Sequence, residues 1–101
     1  MDQVTVAPEV IRTVVRNTVL AMPSVRGLVN PRVARERGLE RGVAVSVKDG
    51  SVSVSLHVIA AQDVPLLELG QQIQIEVKNV VEEVIGLSVA KVDVSFEDVT
   101  T

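Results

Sequence analysis

The chain has no cysteine, no tryptophan and no tyrosine, and Phe96 is its only aromatic residue. Without cysteine there are no disulfides, no thiolate nucleophile and no Cys-ligated zinc. With one aromatic ring, stacking on bases or sugars is nearly closed off. His57 is the single histidine, and with no thiol or second imidazole it cannot build a zinc site. Apolar runs are short: none approaches the roughly 20 residues that a membrane span needs. The chain opens with no signal-peptide pattern, and an ordinary core is all it has to fold with, so the expected location is the cytoplasm.

What is present is valine, spread through amphipathic segments, which favours strands over helices. At 101 residues, the chain is read as a single domain, residues 1–101, burying about two thirds of its unfolded surface. Net charge is −3, unevenly divided. Residues 1–50 hold eight Lys/Arg against five Asp/Glu, and residues 51–101 hold two against eight. Such a split can orient one copy against another or steer a partner. An acidic total with almost no aromatics argues against nucleic acid.

The clearest local signal is Gly42 to Ala60. Val43, Val45 and Val47 alternate with small or polar residues, Lys48-Asp49-Gly50-Ser51 intervenes, and Val52, Val54, Leu56 and Val58 alternate again. Asp-Gly between alternating strands predicts a two-residue type I′ hairpin. That turn sets Lys48 opposite Ser51, Val47 opposite Val52, Val45 opposite Val54 and Val43 opposite Leu56. All the apolar side chains then share one face.

Before the hairpin, Val4-Thr5-Val6 reads as a short strand. Pro8 at a first helical position opens a helix to about Met22, with Val10, Ile11, Val14, Val15, Thr18, Val19 and Met22 as its apolar stripe. Pro23 ends it and Gly27 allows a turn. The Arg-rich stretch 29–42 is read as a mobile loop, with one helical turn near Val33 to Arg37. After the hairpin, a second helix is expected to begin near Val64-Pro65 with Asp63 as its N-cap, Pro65 being able to shift the start by a residue. Its stripe is Leu66, Leu69, Gly70, Ile73, Val77, Val80, Val81 and Val84, and Ile75 is the one apolar misfit on the wet face. Gly86 suits the C′ position. Lys91 to Val99 reads as a last strand with Val92, Val94 and Phe96 inward. The expectation is an α+β domain of order β-α-β-β-α-β, a mixed sheet of about four strands with two helices packed on one face.

No catalytic constellation emerges. Ser53 and Ser55 lie on the polar face of the hairpin beside His57, but no serine has the strained turn or neighbouring base that activates a hydroxyl. A solvated or interface ladder is the favoured reading. His57 reads as an ordinary surface or interface histidine, and a nearby Asp63 or Asp93 adds little toward a metal site. Arg32, Arg35, Arg37 and Arg41 are candidate contacts for an anion or a partner, diluted by Glu36 and Glu40. Ile75 is the best single hint of a protein contact. No cofactor or metal is called for.

Several pieces together resemble a known family. Val4-Thr5-Val6-Ala7-Pro8-Glu9-Val10-Ile11, then Met22-Pro23-Ser24-Val25-Arg26-Gly27-Leu28, resemble the opening of the bacterial alkaline-shock proteins, also called general or envelope stress response proteins. Gly42-Val43-Ala44-Val45 with Lys48-Asp49-Gly50 is similar to their hairpin. Val64-Pro65 leading to Gln74, Val77 and Val81, then Gly86-Leu87-Ser88-Val89 and Val92-Asp93-Val94, resembles their second half. Ala7 departs from the pattern, standing where a helix cap is usual. The resemblance spans Val4 to Val99 and implies a non-enzymatic, cytoplasmic interaction or scaffold protein of envelope homeostasis. It also implies self-association and a protein partner, with a membrane reached through an anchor protein rather than a span. The competing expectation is a small-ligand regulatory module on a ferredoxin-like frame.

Overall fold

The computed structural model describes residues 4–29 and 42–97. Along these the chain forms helix α1 (Pro8–Leu20), strand β1 (Val25–Leu28), the hairpin strands β2 (Val43–Lys48) and β3 (Ser51–Ala60), helix α2 (Leu66–Val80) ending in a π turn (Val81–Ile85), and strand β4 (Ser88–Phe96). The class is α+β, with two helices and a four-stranded mixed sheet, as expected from the sequence. The order is α-β-β-β-α-β.

One strand is not where the sequence puts it. Val4-Thr5-Val6 forms no strand: Val4 is 93% exposed and only Val6 packs against the core. So short a run gains little from pairing at a sheet edge, and both edges of the central strand β3 are already taken. The missing strand is β1, in a stretch the sequence presents as a turn. Its pairing with β3 is antiparallel and jumps one residue between Val25 and Gly27, leaving Arg26 as a bulge. Gly27 therefore marks a bulge rather than a turn.

β3 organises the sheet. Its antiparallel pairing with β2 has the register the Asp-Gly turn dictates: Val43 faces Leu56, Val45 faces Val54, Val47 faces Val52 and Lys48 faces Ser51. Asp49 and Gly50 carry φ of 52° and 77°, the doubly positive pair a type I′ turn requires. β1 pairs with Val58 to Ala60 of β3 and β2 with Ser51 to Leu56. The two run in the same direction along one edge, end to end, as one interrupted strand. The interruption closes on His57, whose carbonyl accepts from the Val29 N–H at 3.0 Å and whose N–H donates to the Gly42 carbonyl at 2.9 Å.

On its other edge β3 pairs with β4 in parallel, from Ser51 with Ser88 to Val58 with Phe96, with Ala90 as a bulge. A parallel neighbour needs a crossover, and α2 supplies it. Both helices lie on the face that buries Val43, Val52, Val54, Leu56 and Val58. They contribute Ile11, Val15 and Val19 from α1 and Leu69, Ile73 and Val77 from α2. Among the described residues no polar or charged residue is buried.

Helix ends follow local chemistry, with two corrections. Ala7 caps α1 without a side-chain bond, and Pro8 takes the first turn. Asp63 is not the N-cap of α2. Its φ is +60°, the cap is Pro65 and the helix starts at Leu66, because a residue preceding proline avoids the helical region. At the far end the Gly86 N–H reaches the Val81 carbonyl at 2.9 Å, a π-type bond that fits one extra residue into the last turn. That extra residue rotates Val84 out to 71% exposure and brings Ile85 against the core instead. Gly86, with φ of 84°, ends the helix as predicted.

Candidate functional site

The sheet face away from the helices carries short polar side chains. Ser53 lies between Ser46 on β2 and Lys91 on β4; Ser55 lies between Ala44 and Asp93; His57 stands beside Ser95. Strand alternation puts all of them on one side, so the structure brings Ser53, Ser55 and His57 together. Each is half-buried.

The partner of His57 is neither Asp63 nor Asp93 but Glu97, whose Oε1 lies 2.6 Å from Nδ1. An ionised carboxylate only accepts, so Nδ1 is then the donor. Parallel register explains the pair: His57 sits level with Ser95, and Glu97 is the next residue on that face. Asp93 instead meets Lys91, 3.2 Å away. Knowing that β4 runs parallel to β3 would have picked out Glu97, and no local signal in the sequence states that. Among the described residues the imidazole's side-chain partner is this one carboxylate. No group of three His, Asp or Glu among the described residues could hold a metal ion.

Ile75 is not part of this face. It projects from α2 away from the sheet and is 58% exposed. Arg32, Arg35, Arg37 and Arg41 lie outside the described residues, as does the helical turn expected near them. The two ends of that stretch, Val29 and Gly42, are held side by side on His57.

The more distinctive surface was not legible in the sequence. It is a trough between α2 and the outer edge of β4. Its middle, about 380 Å³, is lined by Leu66, Leu67, Gly70, Gln71, Gln74, Val94 and Phe96. It continues toward Asp63 and Val64 past Leu66 and Phe96, and toward Lys78 and Val89 past Gln74. Leu66 and Leu67 are 47% and 76% exposed. β4 pairs only with β3 among the described residues, so its outer backbone groups face this trough. One is occupied: Gln74 Nε2 donates to the Val92 carbonyl at 3.0 Å.

Against this geometry, comparison with known proteins gives one family. The alkaline shock protein family, described by a cell envelope-related function, matches residues 1–101. The chain belongs to the alkaline shock protein family. It is the same family that the sequence motifs resemble. No curated protein matches the chain. Among solved structures, the cadmium form of a MamM CTD variant has a TM-score of 0.58 at 15% identity, covering 91% of this chain and 96% of that one. A zinc form has a TM-score of 0.58 at 14% identity, covering 91% and 86%. Another zinc form has 0.57 at 13%, covering 92% and 87%. At such identity the likeness to this alkaline shock family chain is one of fold, and the metals are those proteins' own. No helix among the described residues is long and apolar enough to cross a membrane.

Proposed function

We propose that this alkaline shock family protein is a non-catalytic interaction module, serving its envelope-related role by associating with itself and with a protein partner. The observation that carries the reading is the outer edge of β4. A row of backbone donors and acceptors borders a trough with exposed Leu66 and Leu67, the kind of edge that recruits another chain. The open face adds short hydroxyls and one His–Glu pair, which suit contact rather than bond-making. The working location is the cytoplasm, with membrane proximity gained through a partner protein that carries its own anchor.

Sedimentation velocity over a concentration series tests self-association. Larger species with rising concentration, weakened by salt as the divided charge requires, are the expected result. A strict monomer at high concentration sinks the reading. The partner is sought by pull-down from cytoplasmic and membrane fractions, repeated with Arg32, Arg35, Arg37 and Arg41 changed to Ser. The competing reading, a small-ligand regulatory module, draws on the size of the trough, which falls within the range of ligand pockets. Its polar side chains there are Gln71 and Gln74, and Gln74 is already engaged. A saturable thermal shift with a metabolite or nucleotide would favour that module.

A further inference from the structure

We infer that β4 is the interface between two copies, pairing antiparallel with β4 of a second chain about a two-fold axis at Val94. The inference rests on the self-association proposed above and adds the surface and the register.

The edge polarity comes first. The Glu97 N–H points inward, donating to the Val58 carbonyl at 2.8 Å, whereas the Val92 carbonyl points outward to Gln74. Backbone groups of alternate residues share an edge, so those of Val92, Val94 and Phe96 face outward. The bulge at Ala90 limits regular pairing to residues 91–97, and Val94 is the centre of that stretch.

The register follows from charge. With Val94 opposite its own copy, Val92 meets Phe96, Asp93 meets Ser95 and Lys91 meets Glu97. Every charged residue then faces an opposite charge or a hydroxyl. Moving the axis to Asp93 sets two aspartates against each other, and moving it to Ser95 sets Asp93 against Glu97. Like charges directly opposite destabilise a sheet pair. Moving it to Val92 brings the bulged Ala90 into the ladder and leaves Phe96 opposite Ser88. Only the Val94 register uses the whole regular stretch without a like-charge pair. It also makes one continuous sheet with both α2 helices on the same face, where each covers the Leu66 and Leu67 of the other. Gln74 holds the Val92 carbonyl in the single chain and gives it up to the incoming Phe96 N–H.

Asp93 and Ser95 oppose one another without mutual backbone bonds in this register, with Cα atoms about 4.5 Å apart, within reach of a disulfide. The chain has no cysteine, so introduced thiols have no competitors. Protein carrying Asp93→Cys and protein carrying Ser95→Cys are oxidised separately and mixed, alongside sedimentation velocity of the unmodified chain. The expected result is a covalent dimer from the mixture and none from either alone. Lys91→Glu is expected to weaken self-association by about 10-fold or more, and adding Glu97→Lys to restore it to within about 3-fold, since two exposed pairs change sign per dimer. Circular dichroism confirms that each variant is folded. Self-association without the mixed disulfide, or with Asp93→Cys linking to itself, overturns this interface and leaves the proposed function standing. A chain that stays monomeric overturns both.

Discussion

Gly42 and Val29 close on one another: a side chain at position 42 would place its Cβ 2.5 Å from the Val29 carbonyl oxygen and 2.7 Å from its nitrogen. Both contacts are with backbone, which cannot swing aside, and Gly42 has φ of +79°. Two independent penalties therefore fall on one residue. Gly42→Ala is expected to destabilise the protein by at least about 2 kcal/mol, read from urea unfolding midpoints. Gly27→Ala is the control, because nothing lies within 4 Å of a Cβ there; it is expected to change stability by less than about 1 kcal/mol. Equal effects would mean that the junction at His57 is not what constrains the edge.

Two isoleucines close together on α2 should behave oppositely. Ile73 is fully buried in the core, while Ile75 is 58% exposed. Ile73→Ala leaves a cavity and is expected to cost about 3 kcal/mol. Ile75→Ala is expected to stay within about 0.5 kcal/mol. Thermal unfolding of the two variants decides it, and a large loss at Ile75 would show that α2 faces the sheet differently.

The hairpin tip makes a smaller prediction. Gly50 sits at φ of 77° with open space where a Cβ would go, so strain is the only penalty. Gly50→Ala should lose about 1 kcal/mol, half or less of the Gly42 effect. A loss as great as that of Gly42→Ala would point to packing at the tip.

The His57–Glu97 pair is partly exposed, its side chains 22% and 37% accessible. Solvent screening limits such a pair, so Glu97→Gln is expected to cost at most about 1 kcal/mol. Chemical denaturation at low and high salt measures it. A loss of several kcal/mol would mark the pair as a structural keystone of the open face.

Much of the fold was readable from side-chain periods. The hairpin register, the burial of Ile11, Val15, Val19, Ile73 and Val77, and the stop at Gly86 all follow from rules acting over a few residues. The departures arise where a residue's role depends on a distant one. Val4-Thr5-Val6 has strand character but pairs with no strand, both edges of β3 being taken, and Val25–Leu28 has little strand character but pairs with β3. Val84 and Ile85 exchange roles because a single π-type bond adds a residue to the turn.

The candidate surfaces divide in the same way. Alternation alone places Ser53, Ser55 and His57 on one polar face, because a pleated strand turns successive side chains to opposite sides. The pairing of His57 with Glu97 and the trough beside β4 belong to tertiary structure. Both depend on which edge of β3 the last strand occupies and on its running parallel, a choice set by how α2 carries the chain back across the sheet and by no neighbouring residue.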